Sequence, residues 1–269
     1  MFAAPNYAYF TVHGYSVYYY GIILAASILL GLIIADKIAV KKYFLFGIIP
    51  DISTAVIIGG IIGARLYYCI LNFSVYFHYP AEIFALRQGG LSVHGALLGG
   101  VTALYMVSKK HNLNFLKLCD IFALALPIAQ SVGRWGNFVN SEAFGKPCDL
   151  PWKLFVEQRF RPDEYFSVSY FHPAFLYEAL ADILIFLILY FIVMPKNKKN
   201  TGIIAAYYLI LYSIVRILIE TIRIDCIRYV WGIPFPTIIS IILIAASAGF
   251  IMFYSKFSHR NGSGLRDDD

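Results

Sequence analysis

A chain of 269 residues with mean hydropathy +0.68, 59% hydrophobic residues and 14% charged ones falls outside the ordinary soluble domains, in which charge makes up roughly a quarter. The net charge of +6 invites a nucleic-acid partner, but the basic residues are distributed as membrane topology, and no nucleic acid is expected. Four cysteines (Cys69, Cys119, Cys148, Cys226) show neither CxxC nor metal-ligand spacing, so neither a redox motif nor a zinc site is expected.

A helical span needs about 20 mostly apolar residues. The first candidate, Tyr18–Ala35, is entered through Tyr15, Tyr18, Tyr19 and Tyr20, an aromatic belt for the lipid interface. It lacks a basic leader and a small-residue cleavage site, so no cleavable signal peptide is expected. The second, Ile48–Phe73, has Pro50 in its first turn and carries Arg65 inside the apolar run beside Gly59, Gly60 and Gly63. The third, Leu91–Ser108, opens on Ser92-Val93-His94-Gly95, and the fourth runs from about Leu116 to Val132. Pro173–Met194, Gly202–Ile219 and Ile233–Phe257 complete seven expected spans, the third and fourth being the least hydrophobic. The expected fold is therefore an all-α integral membrane protein, a single domain over residues 1–257. Within it, the polar, proline-containing segment 146–171 makes a small cap, and 258–269 form a disordered tail. No internal repeat is visible, which argues against the repeat-built transporters.

Lysines set the orientation. With the N-terminus outside, the inner segments hold Lys37, Lys41 and Lys42, then Lys109, Lys110 and Lys117, then Lys196, Lys198 and Lys199, and finally Lys256, Arg260 and Arg266. The outer side has Arg87 between the second and third spans, and its other basic residues are mostly arginines gathered near the ends of the fourth and sixth spans. Lysines inside read as topology, arginines outside as a site. Cys69 and Cys119 lie in or beside apolar spans, where reduced packing is the expected role. Cys148 and Cys226 fall on one side, which leaves a disulfide between them open.

Polar residues stand out in five places. Residues 133–145, from Gly133 through Arg134, Asn137, Asn140 and Glu142 to Gly145, follow directly on an apolar run. Such polarity beside a membrane span is expensive unless it is paired or binds something. One reading is a Gly-rich loop with Arg134 paired to Glu142. The other is a ligand site in which the planar fork of Arg134 takes a phosphate or carboxylate. In the sixth span, Tyr212, Arg216, Glu220 and Arg223 form one helical stripe. An Arg216–Glu220 pair within it leaves Arg223 over, and a phospholipid phosphate is the most abundant anion at hand. His172-Pro173 opens the fifth span, with Tyr177, Glu178 and Asp182 behind it; the two carboxylates are expected to neutralise Arg65 or Arg134. His94, in a glycine-rich helix start, is either a structural donor or a proton acceptor. Tyr20, beside Gly21, either anchors the aromatic belt or donates its hydroxyl.

The run Gly133-Arg134-x-Gly-Asn137-Phe-x-Asn140-x-Glu142-x-x-Gly145 resembles the signature of the prolipoprotein diacylglyceryl transferase family. Matching pieces follow in order: Tyr20-Gly21, Gly-Ala-Arg65, Ser92-Val93-His94-Gly95, His172-Pro173 to Tyr177-Glu178, and Tyr212-x-x-x-Arg216-x-x-x-Glu220-x-x-Arg223. The start of the last span, Pro234 to Ser240, lacks the Gly and Gln of the family pattern, and no substrate contact is assigned there.

The resemblance implies a multi-pass enzyme of the bacterial plasma membrane with its site toward the outer leaflet. It would move the diacylglyceryl group of phosphatidylglycerol to the lipobox cysteine of a preprolipoprotein and release glycerol-1-phosphate. Arg134 and Arg216 would then stabilise the leaving phosphate, and His94 would accept the thiol proton. Asn137, Asn140, Tyr20, Tyr212 and Gly145 would hold the head group, supported by Glu142, Glu220, Arg223, Arg65, Tyr177 and Glu178. No metal or organic cofactor is implied. The readings from other classes are a non-catalytic phospholipid-binding or lipid-translocating protein and, weaker, a small-anion transporter.

Overall fold

The computed structural model describes residues 2–3, 9–12, 15–85, 89–197, 200–224 and 229–262. Arg87, Lys198, Lys199, Cys226 and Arg266, together with residues 263–269 of the expected tail, lie outside the described residues. The main helices are α1 (Tyr19–Tyr43), α2 (Ile49–Leu71), α4 (Val93–Lys110), α5 (Phe115–Val139), α6 (Ala174–Ile188), α8 (Ile203–Glu220) and α9 (Phe235–Gly262). A short α3 (Phe73–His78) follows α2. Among the described residues, six helical stretches are long and apolar enough to cross a membrane: Tyr19–Tyr43, Ile49–Leu71, Phe115–Val139, Ala174–Lys196, Ile203–Glu220 and Phe235–Lys256. The third expected span, α4, is formed with 18 residues, but its glycines, His94 and closing lysines dilute its apolarity and it is not among the six.

The chain divides into two compact units, residues 1–31 with 122–269 and residues 32–121. The second unit is built on α2 against α4. Gly59 and Gly63 on α2 meet Gly95 and Gly99 on α4, so each helix offers glycines four apart. A Cβ at Gly63 would collide with the Gly95 carbonyl, and one at Gly99 with the Gly59 carbonyl. Helix backbones approach this closely only where no side chain intervenes, and dispersion then replaces the missing hydrophobic drive in lipid. The Ser92 hydroxyl caps α4 by accepting from Gly95 N at 3.5 Å. At the lysine-rich end of this unit, Tyr43 donates to the fully buried Asp120 at 2.9 Å.

In the first unit α6 continues beyond Ile188 through a π turn, Leu189–Val193, into the short α7 (Met194–Lys196). Pro195 explains the widening: it has no N–H and its ring crowds the carbonyl four residues back. The unit also holds short strands that helical periodicity does not signal. β1 (Phe2–Ala3) runs parallel to β4 (Leu154–Phe155), and β4 pairs antiparallel with β5 (Tyr170–Phe171). Phe144, Leu154, Val156, Phe171 and Phe175 close a small core beneath them, so the segment expected as a cap is packed rather than loose. Two hairpins lead into helices, β2 (Tyr9–Val12) with β3 (Tyr15–Tyr18) before α1, and β6 (Tyr229–Val230) with β7 (Ile233–Pro234) before α9. The second turns through Trp231 and Gly232, both at positive φ (51° and 78°), the geometry of a type I′ turn.

Candidate active site

The family-like signature is not a free loop: Gly133 to Val139 form the last turns of α5. Gly136 lies in this helix because the Tyr20 ring packs on it; an added Cβ would stand 2.8 Å from Tyr20 Cδ2. After Val139 the chain turns sharply, with Ser141 and Ala143 in the left-handed region at φ 55° and 54°. L-residues there store roughly 1 kcal/mol each. The turn is held by Asn140 N to Gly136 O at 3.0 Å and Glu142 N to Asn137 O at 2.9 Å. Gly145 then bridges Arg223 antiparallel and donates to the His172 carbonyl at 2.9 Å. A Cβ at Gly145 would lie 2.9 Å from both His172 Cβ and the Ile222 carbonyl, so this glycine permits a close chain crossing.

That crossing brings three arginines to one carboxylate. Glu178, one turn into α6 and 4% exposed at its side chain, pairs with Arg134 of α5. It also receives Arg216 of α8 at 3.4 Å and Arg223, just beyond α8, at 3.1 Å. Arg216 is held a second time by Glu220 at 2.7 Å, the expected pair one helical turn apart. The arginine side chains are 14–20% exposed, so the cluster is largely shielded from solvent. Each guanidinium offers five donors in a fixed plane, and the ion pairs with the carboxylates engage one terminal nitrogen of Arg134 and both of Arg216. The arrangement is suited to a further oxyanion, with Glu178 fixing where the forks point.

These contacts correct three expectations. Arg134 pairs with Glu178, while Glu142 accepts instead from Asn140 Nδ2 at 3.2 Å. Arg223 is not left over, since Glu178 takes it too. Arg65 stands in the other unit as a backbone clamp. Its Nε donates to the Ile83 carbonyl at 2.9 Å, Nη1 to Gly89 and Gly90 at 2.8 and 3.0 Å, and Nη2 to Glu82, with Tyr76 5.2 Å beneath. Burial of this charge is thus compensated by carbonyls rather than by Glu178 or Asp182.

The remaining expected residues divide by unit. Tyr20, Asn137, Asn140, Glu142, Gly145, Tyr177 and Tyr212 share the unit of the arginine cluster. Within it, Tyr177 belongs to a different network: its hydroxyl accepts from Trp152 Nε1 at 3.0 Å and meets His172 Nδ1 at 3.2 Å. His94 lies in the other unit, two residues beyond the cap of α4, with its ring 6.3 Å from that of Tyr67. Asp182, 2% exposed and one turn beyond Glu178, enters no ion pair among the described residues. A second polar tier went unread in the sequence: Tyr208 donates to Gln130 Oε1 at 2.9 Å, with Tyr208 and Tyr212 ring centres 5.9 Å apart. Its signal was available, for Gln130 precedes Arg134 by four residues and Tyr208 precedes Tyr212 by four.

Comparison with known proteins identifies the family. A family model described as prolipoprotein diacylglyceryl transferase matches residues 8–253. The chain is 36% identical over 258 residues to a phosphatidylglycerol–prolipoprotein diacylglyceryl transferase of Synechococcus elongatus, covering 94% of this chain and 89% of that one. Proteins of the same name from Fervidobacterium nodosum (38% over 249 residues, 91% and 83% covered) and Finegoldia magna (37% over 247 residues, 92% and 95% covered) are similarly related. A match running through both units, from the first hairpin into the last helix, is far more than a shared motif, and the chain belongs to the prolipoprotein diacylglyceryl transferase family.

Proposed function

We propose that this chain is a transferase of lipoprotein maturation that moves the diacylglyceryl group of phosphatidylglycerol onto a prolipoprotein cysteine. The observation that carries the reading is the convergence of Arg134, Arg216 and Arg223 on Glu178, a shielded and oriented set of anion donors. The thiolate of the lipobox cysteine attacks the glycerol carbon that bears the phosphate. A carbon–sulfur bond forms, the carbon–oxygen bond breaks, and its electron pair leaves with glycerol-1-phosphate. Negative charge grows on the phosphate as that bond breaks, so donors fixed in advance lower the barrier more than they strengthen ground-state binding. Arg134 and Arg216 serve there. His94 takes the thiol proton, while Asn137, Asn140, Tyr20, Tyr212 and Gly145 hold the head group and Glu142, Glu220, Arg223 and Tyr177 support it. Incubating the purified protein with phosphatidylglycerol and a lipobox peptide should add a diacylglyceryl mass to the cysteine. Lipid binding with no added mass would select a lipid-binding protein instead.

Both substrates are amphiphiles, which supports a site at the outer leaflet of the bacterial plasma membrane. The apolar runs support seven spans with α4 as the third, and the lysine pattern supports an outer N-terminus and an extracytoplasmic cap at 146–171. A cysteine placed at His259 should be labelled only from the cytoplasmic side. Labelling from outside in intact cells would overturn this orientation.

A further inference from the structure

The arginine cluster has polar neighbours one helical turn along each helix that builds it. On α5, Gln130 precedes Arg134 by four residues, a step of about 6 Å along the axis. On α8, Tyr212 precedes Arg216 by four residues and Tyr208 precedes it by eight, and on α6, Asp182 follows Glu178 by four. All three steps lead from the helix ends that carry the arginines toward the middle of the spans. Polar side chains at that depth are costly unless they have partners. Tyr208, 7% exposed, has one in Gln130 Oε1 at 2.9 Å. The half-buried Gln130 does not use its amide nitrogen among the described residues. Turning the amide over would not change this. The nitrogen would then donate to the Tyr208 oxygen, and the hydroxyl proton would become the unused donor. In either arrangement the pair presents a neutral donor one turn deeper than a group that grips phosphate.

We infer that the Gln130–Tyr208 pair is a second binding tier that donates a hydrogen bond to an acyl-ester carbonyl of the lipid whose phosphate the arginines hold. This rests on the phosphatidylglycerol reading above and deepens it. In a glycerophospholipid the ester carbonyls lie on the hydrocarbon side of the phosphate, joined to it through the glycerol carbons. A lipid with its phosphate at Arg134 and its tails toward the bilayer centre therefore brings a carbonyl to the level of Gln130. A carbonyl is an acceptor only, so it matches a free amide N–H or phenolic O–H and would not compete with the arginines for the anion. Gln130 is thereby a specificity residue for diacyl over dialkyl lipid, and Tyr208 the positioning residue that fixes the amide plane.

The test pairs a change in the lipid with a change in the protein. Transfer to a lipobox peptide is measured with ordinary diester phosphatidylglycerol and with its dialkyl-ether analogue, which keeps head group and tails but has no ester carbonyl. The wild-type chain should favour the diester by about three- to tenfold in kcat/KM, the worth of one neutral hydrogen bond. The difference should lie in KM, because the carbonyl is not the reacting group. Gln130→Met keeps length and loses the donor; it should lower the diester to the diether level and leave the diether rate unchanged. That unchanged rate also shows that the variant is folded. Tyr208→Phe should remove part of the preference, again without loss on the diether. Equal use of both lipids by the wild type, or an equal fall on both lipids in Gln130→Met, would overturn the inference while leaving the transferase reading intact. No transfer from either lipid by the wild type would overturn the parent reading and this one with it.

Discussion

Glu178→Gln is expected to reduce diacylglyceryl transfer at least about a hundredfold, which corresponds to a loss of about 3 kcal/mol or more. The side chain is 4% exposed and is shared by Arg134, Arg216 and Arg223, so the amide removes the one negative charge that holds three positive ones together. Breaking a buried pair by neutralising one partner typically costs 3–5 kcal/mol, because the remaining charge stays behind without compensation. Arg216 keeps Glu220 at 2.7 Å and should move least. Arg134 has no second ion pair among the described residues and should move most. KM for the lipid should fall rather than rise, since uncompensated guanidinium groups attract the phosphate more strongly. The rate constant should fall because the forks no longer point where charge develops. Glu178→Asp retains the charge one methylene short and should recover part of the rate. The measurement is transfer to a labelled lipobox peptide over a range of lipid fractions, beside thermal unfolding in detergent. Near-normal turnover and stability in Glu178→Gln would mean that helix packing alone fixes the arginines.

The position of this hub explains what was and was not readable from the residues. The Arg216–Glu220 pair was legible, because four residues on a helix is one turn and needs no tertiary information. Glu178 was read as the neutraliser of a single arginine. Its three-way role depends on α5, α6 and the end of α8 coming together, and on Gly145 letting the chain cross beside Arg223. Arg65 was misread for a different reason. Its partners are backbone carbonyls, which every residue has, so no residue type advertises them. The glycines of α2 and α4 were visible as composition and lowered the apolarity of the third span. Their spacing of four, which marks two helices in backbone contact, carried the structural meaning instead. Strands of two to four residues such as β1, β4 and β6 are too short for a period of two to emerge.

His94→Gln and Arg216→Ala should both reduce transfer severely, and pH should tell them apart. A cysteine thiol with a reference pKa of about 8.5 is mostly protonated at neutral pH, so a protein base must remove the proton before sulfur can attack. If His94 is that base, its loss matters most below the thiol pKa, where free thiolate is scarce. As pH rises toward about 9 the substrate ionises unaided, and His94→Gln should regain part of its rate. Arg216→Ala removes a donor to the phosphate, whose leaving group gains negative charge at any pH in this range, so its rate should stay low throughout. The two variants thus separate supplying the nucleophile from stabilising the leaving group. Lipid and peptide binding must be measured in both, so that a change of affinity is not read as a change of chemistry. Should His94→Gln remain equally inactive from neutral pH to about 9 while binding both substrates, the general-base role is wrong. His94 would then act as a hydrogen-bond donor to the phosphate or ester oxygens, and the thiol proton would need another acceptor.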